Sequence, residues 1–153
     1  MRISAKVDYA VRAAIVLAGS EEGKALKGES LADAQGIPVK FLENILGEMK
    51  HHGIVASRRG ADGGYWLAKA PGDVTLAEII RAVEGPLATV RGEAPEALSY
   101  EAAAAPLKEV WIAVRANLRG VLDRVTLADL VAGELPPDIA KLTKSAQAWE
   151  PSG

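Results

Sequence analysis

Cysteine is missing altogether, which excludes disulfides, thiolate metal sites, thiol nucleophiles and cysteine redox switches at once. Histidine is nearly missing: His51 and His52 are the only two, and they are adjacent. Neighbours on a helix project about 100° apart, so this pair cannot grip one metal ion from one face. They read as surface residues, not sensors. No Asp/Glu spacing resembles a calcium loop, so no metal site is expected. No apolar run reaches membrane-spanning length. The N-terminal MRISAKVDYA turns helical and amphipathic at once, without a signal-peptide core or cleavage site. The expectation is a cytoplasmic protein with no membrane association. Enzyme signatures are missing too. There is no Ser/His/Asp set and no dinucleotide fingerprint, and GADGG lacks the Lys-Ser/Thr that a phosphate loop needs.

What is present suits a globular chain. Of 153 residues, 49% are hydrophobic and 25% charged, enough for one domain with a real core, or a small domain with an extension. The net charge of −2 hides an asymmetry. Residues 1–69 carry ten Lys/Arg against eight Asp/Glu, and residues 70–153 carry eight against twelve. That balance argues against coating DNA indiscriminately but permits a mildly basic contact surface on the N-terminal half.

Periodicity places the elements. Residues 4–18 set Val7, Ala10, Val11, Ala14, Ile15 and Ala18 at helical spacing behind Ser4, a plausible N-cap. Ser30-Leu31-Ala32-Asp33 fits the start of a short second helix, with Asp33 standing in for the Glu of a capping box. That helix ends near Gly36. A third runs from Pro38 to about His52 and stops at Gly53. Ile54–Arg58 and Tyr65–Ala68 are short β-prone runs flanking a glycine-rich loop, and read as a hairpin. Thr75-Leu76-Ala77-Glu78 is a capping box opening a helix to about Glu84. Residues 86–106 show no convincing period and read as a loop holding at most one helical turn. Leu107, Trp111, Val114, Leu118, Val121 and Val125 then form an a/d seam on the longest helix, core in any reading, with its partner in cis or in a second chain. Thr126-Leu127-Ala128-Asp129 opens a short helix to Ala132, and the chain from Gly133 onward reads as a fraying tail.

Helix, helix, tight turn, helix and two-stranded hairpin make a winged helix-turn-helix. The fold class is mainly α with a small β-hairpin, extended by a long C-terminal helix. The expected division is a winged helix-turn-helix DNA-binding domain over 1–85, a loop over 86–106, the long helix and a short following helix over 107–132, and a flexible tail over 133–153. On the third helix Phe41, Leu42, Ile45, Leu46 and Met49 fall on the core arc. Lys40, Glu43, Asn44, Gly47 and His51 fall on the other. A cation, an amide and a carboxylate on one exposed face are the side-chain types that read base edges. The stretch SRRGADGGYWL sets Arg58 and Arg59 beside Gly60, Gly63 and Gly64: cations at the mouth of a loop lean enough to slide along a flanking phosphate backbone or minor groove. Strand alternation sends neighbouring side chains apart, which favours Arg59 alone entering the groove. A solvated polar face and a structural hairpin are the plain alternatives. The order and spacing that bring all these features to one surface favour DNA binding.

MRISAKVDYAV, LADAQGIPVKFLENILGEMKHHGIV, SRRGADGGYWLAKAP, IIRAVEGP and LDRVTLADLV together resemble the Rrf2 family of bacterial winged-helix regulators, over roughly residues 1–132. The RG-x-x-GGY-x-L wing is the most specific of these motifs. The resemblance implies a homodimer that binds partly palindromic operators and pairs through its long C-terminal helix, which makes 107–132 the dimerisation helix with its short following helix and 86–106 a sensor loop. Carried over by position, it puts recognition-helix contacts on Pro38, Lys40, Phe41, Glu43 and Asn44, and the groove arginine on Arg59 with Gly60 beside it. Pro38 and Phe41 depart from the hydroxyl residues often found there, so the operator should differ. Many members hold an iron–sulfur cluster through three cysteines in the loop matching 86–106. Here that loop offers Glu93, Glu96, Tyr100 and Glu101, none a soft ligand. The chain resembles instead the cluster-free branch typified by the repressor of cysteine metabolism, whose members can take their signal from a protein. Neither cofactor nor metal is expected.

The function expected is a sequence-specific regulator, a homodimeric repressor, with double-stranded DNA as partner and a regulatory protein or small molecule as effector. The alternative is a protein-interaction module whose exposed third helix docks on a partner such as a cysteine-biosynthetic enzyme and does not bind DNA.

Overall fold

The computed structural model describes residues 1–151. Helix α1 (Ala5–Ala18) starts where Ser4 Oγ accepts the Val7 N–H at 3.1 Å, an N-cap that satisfies one orphan donor. Its buried face is Val7, Ala10, Ala13, Ala14 and Leu17. Relative to the expected stripe the helix is turned slightly, leaving Val11, Ile15 and Ala18 half-buried. The small residues at 10, 13 and 14 let neighbouring backbones approach, so that arc faces the centre.

The second helix corrects the sequence reading. Helix α2 spans Gly28–Gln35 and has Lys27 at its N-cap with no side-chain cap. Ser30 lies inside the helix, so the expected Ser30/Asp33 box does not form. The start is set from outside the segment: Leu26 exchanges two backbone hydrogen bonds with Tyr65, at 2.8 and 2.9 Å. That pairing holds the chain extended to residue 26 and releases it into the helix directly after. Gly36, at φ +62, closes α2 in the left-handed region, and the Ile37 N–H reaches back to the Ala32 carbonyl at 2.9 Å, a Schellman-type stop.

Helix α3 (Val39–His51) follows, with Leu42, Ile45, Leu46 and Met49 buried. Gly53, at φ +73, ends it. Strands β1 (Val55–Arg58) and β2 (Gly64–Leu67) pair antiparallel, Val55 with Leu67 and Arg58 with Gly64. Leu26 on the far edge of β2 adds a third, one-residue rung.

Helix α4 (Leu76–Glu84) opens on a complete Thr75/Glu78 capping box, as its sequence requires. Helix α6 (Leu127–Ala132) opens on a second, from Thr126 and Asp129. The two starts are bound to each other: the Leu76 N–H donates to Val125 and the Leu127 N–H to Val74, each at 3.0 Å. One core joins α1, α2, α3, α4 and Leu127 of α6, with Ile54 and Val55 of the hairpin.

Helix α5 (Leu107–Leu122) buries none of its residues. The seam expected to be core is therefore only part-covered within a single chain: Leu107, Trp111, Val114, Leu118 and Val121 are half-buried, and Val110 beside them stands 49% exposed. Val125 lies past the helix end but is buried in the turn to α6. Between α4 and α5, residues 86–106 hold two single 3-10 turns, Pro95–Ala97 and Ala102–Ala104, anchored by buried Leu87, Pro95 and Leu98. The segment after Gly133, expected as a tail, contains helix α7 (Pro137–Leu142). Ile139 is buried there and Asp138 accepts from Arg124 at 3.1 Å. An apolar residue and one ion pair are enough to dock a turn and a half of helix, which a composition rich in Pro and Lys concealed. The last two residues of that expected tail lie outside the described residues.

Candidate nucleic-acid interface

Burying Leu42, Ile45, Leu46 and Met49 turns the opposite arc of α3 outward. Lys40, Glu43, Asn44, Gly47 and His51 are exposed, as is Pro38 at the cap. Phe41 departs from its expected core position. It is 38% exposed and rests edge-on against Tyr9 of α1, with ring centroids 5.7 Å apart. An aromatic at the arc's border can lean on a neighbour and keep one edge in water.

The hairpin meets this face through α2. A β-carbon built at Gly28 would stand 3.5 Å from Cε2 of Tyr65 and 3.9 Å from Cγ of Glu43. The hairpin ring and the α3 carboxylate therefore flank one point, and the start of α2 bridges them. Lys27 adds a second tie, its Nζ donating to the Gly60 carbonyl at 2.7 Å. Sequence reasoning missed Lys27 because it started α2 at Ser30. The signal was a cation directly after Leu26, interpretable only once Leu26 was known to pair with Tyr65.

The glycines of the loop divide in role. A β-carbon at Gly63 would lie 2.4 Å from the Arg58 carbonyl oxygen, and one at Gly64 2.4 Å from that of Leu26. Gly63 is buried, and Gly64 takes φ +141. Both are bare because protein backbone occupies the space, not because DNA must approach there. Gly60, at φ +105, has nothing within 4 Å of its missing β-carbon. It alone of the three keeps open surface beside the arginines.

The arginines divide likewise. Arg58 Nε donates to the Asp62 carbonyl at 3.1 Å, and its guanidinium lies 5.6 Å from the Trp66 ring centroid, within cation–π range. Arg58 thus braces the turn. Arg59 is exposed and makes no side-chain hydrogen bond or ion pair among the described residues. Lys27, Lys40, Arg58 and Arg59 are all exposed, as are the acidic Glu29, Asp33, Glu43 and Asp62, so α3 and the wing offer cations, carboxylates and an amide, the side-chain types that meet phosphates and base edges.

The sequence profile of the Rrf2 family, described as iron-dependent transcriptional regulators, matches residues 3–133. The chain belongs to the Rrf2 family. An HTH-type transcriptional regulator of Mycobacterium tuberculosis is 43% identical over 150 residues, 98% of this chain and 93% of that protein. The structure of CymR (YrzC), the global cysteine regulator of B. subtilis, superposes with a TM-score of 0.73 at 34% identity, covering 87% of this chain and 98% of that one. IscR of T. potens superposes with a TM-score of 0.70 at 31% identity, covering 97% and 95%. The fold is the winged helix-turn-helix of these Rrf2 regulators, and the protein is a DNA-binding transcriptional regulator. No helix among the described residues is long and apolar enough to cross a membrane.

The family's description invokes iron, and the residues here do not fit it. The chain has no cysteine. Among the described residues no group of three or more His, Cys, Asp or Glu side chains could hold a metal ion. In the loop over 86–106 two of the four candidate donors, Glu96 and Tyr100, are committed elsewhere. Glu96 pairs with Arg115 of α5 at 2.5 Å, and Tyr100 Oη accepts from Trp111 Nε1 at 3.1 Å. A hydrogen bond, an ion pair and buried Pro95 and Leu98 hold this segment.

Proposed function

We propose that this Rrf2 regulator acts in the cytoplasm as a homodimeric repressor of a partly palindromic operator, without an iron–sulfur cluster. Each protomer lays α3 in a major groove, where Lys40, Glu43 and Asn44 meet base edges and Pro38 and Phe41 sit at the entry. Arg59 enters the flanking minor groove beside Gly60, and Arg58 stays on the wing as brace and nearby charge. The observation that carries this reading is the junction at Gly28, where Glu43 of α3 and Tyr65 of the wing flank one point.

The apolar groove along α5 supports pairing. It has a volume of about 680 Å³ and is lined by Ile3, Ile80, Val110, Val114, Leu118 and Val121 among others. A second α5 covers such a face and fixes the distance between two recognition helices, hence the half-site spacing. The effector, a protein or a small molecule, acts on residues 86–106, which join α4 to α5. A shift there changes the angle between the DNA-binding half and the dimer helix.

Genomic footprinting of the purified protein supplies the operator, and fluorescence anisotropy across a salt series then tests the contacts. Arg59→Ala weakens operator binding and flattens the slope of log affinity against log salt by about one unit for each phosphate left unneutralised. Unchanged affinity refutes the placement of the wing.

A further inference from the structure

The carbonyl of Gly60 is a node. It accepts the Gly63 N–H at 3.0 Å, which closes the wing turn, and it accepts Lys27 Nζ at 2.7 Å from the N-cap of α2. The register brings Lys27 there. Leu26 is locked to Tyr65 by two backbone hydrogen bonds, and the bare α-carbon of Gly64 lets the Leu26 backbone approach to 2.4 Å of a would-be β-carbon. The next residue along the chain then reaches the wing tip. On the other side of the tip, Arg58 is held by Asp62 and Trp66. Arg59 sits between two braced points and is itself unbraced.

From this we infer that Lys27 is a positioning residue for DNA binding: its ammonium clamps the Gly60 carbonyl in the free protein and so presets the backbone that presents Arg59. A loop rich in glycine has much conformational freedom to lose when it enters a groove. A clamp from α2 removes part of that freedom before DNA arrives, and preorganisation of this kind strengthens binding without adding a contact. The same α2 start lies against the α3 face at Glu43, so the clamp also references the wing to the recognition helix. The link to DNA rests on the groove placement of Arg59 proposed above; the clamp itself does not.

Two measurements separate the parts. The first is amide hydrogen exchange at Gly63 in the free full-length protein, which reads opening of the turn. Lys27→Met speeds it and Lys27→Arg restores it; unchanged exchange in Lys27→Met overturns the clamp. The second is a double-mutant cycle on operator affinity with Arg59→Ala. Lys27→Met alone weakens binding on the order of fivefold to tenfold, and its effect falls below about twofold in the Arg59→Ala background. A full effect in that background overturns the positioning role, because Lys27 then acts on DNA directly or through stability alone. Faster Gly63 exchange together with no effect of Arg59→Ala refutes the groove placement of the wing and leaves the clamp standing.

Discussion

Replacing Gly64 with alanine tests the account of the wing most directly. The added methyl meets the Leu26 carbonyl oxygen at 2.4 Å, its carbon at 2.6 Å and the Leu26 nitrogen at 3.1 Å. These are backbone atoms and cannot swing aside as the end of a flexible side chain would. The variant has two routes. It can keep φ near +141 and push the Leu26 strand away, or rotate Gly64 and break the end of the β1–β2 ladder. On the first route the two Leu26–Tyr65 hydrogen bonds are lost, at about 1 kcal/mol net each, and the strained φ costs about 1–3 kcal/mol more. A glycine-to-alanine change returns about 0.4–1 kcal/mol by restricting the unfolded chain. The expected net loss is about 2–5 kcal/mol, read by urea denaturation with m unchanged. Gly60→Ala is the control, since its β-carbon would meet nothing within 4 Å. It carries only the φ strain of about 1–3 kcal/mol less the same return. A Gly64→Ala protein within about 0.5 kcal/mol of wild type, or no less stable than Gly60→Ala, would refute the reasoning, because surface substitutions that touch nothing fall in that range.

Two other substitutions check the helix starts. Ser4→Ala removes the cap of α1 and costs about 1 kcal/mol, whereas Ser30→Ala, now placed inside α2, changes stability by less than about 0.5 kcal/mol; thermal unfolding of the two variants reads the difference. Glu78 adds a pH dependence. Partial burial pushes its carboxyl up, but the hydrogen bonds from Lys69 and the Thr75 N–H, with the charges of Lys69 and Arg81, outweigh that and hold it below the usual 4.5. A pKa depressed on folding gives stability that is present above the unfolded value and lost as pH falls through the folded one. Gln keeps the hydrogen bond from the Thr75 N–H, so Glu78→Gln loses the Lys69 ion pair and the first-turn charge, roughly 0.5 kcal/mol at neutral pH, and the gap to wild type closes on acidification below pH 4.5. A gap that stays constant down to acid unfolding would remove the carboxylate from the explanation.

The elements that local chemistry specifies were legible. Thr75, Thr126 and Ser4 cap what their sequences say they cap, because a capping box needs only residues a few positions apart. Gly36 and Gly53 end helices for the same reason. The start of α2 was not legible. Ser30 offers a good local signal, but the pairing of Leu26 with Tyr65, 39 residues away in sequence, fixes the boundary first. Helix α7 was missed similarly. Six residues have too little period to show a face, and the docking partner, Arg124, belongs to another segment. On α5 the apolar stripe was plain, yet a stripe does not say whether its cover lies in the same chain.

The glycine-rich wing shows how a correct motif can be given the wrong physical cause. Bareness in a loop near two arginines suggests room for a polyanion, and sequence alone cannot separate that from room for the protein's own backbone. The structure separates them by position: the Arg58 carbonyl fills the space beside Gly63, the Leu26 backbone fills that beside Gly64, and only Gly60 faces open space. On the placement proposed for Arg59, a loop that projects one cation into a groove needs its base held rigid more than its tip kept slim, since freedom at the base is entropy lost on binding. Two glycines spent on close backbone packing at the base, and one left at the tip beside Arg59, meet both demands within five residues.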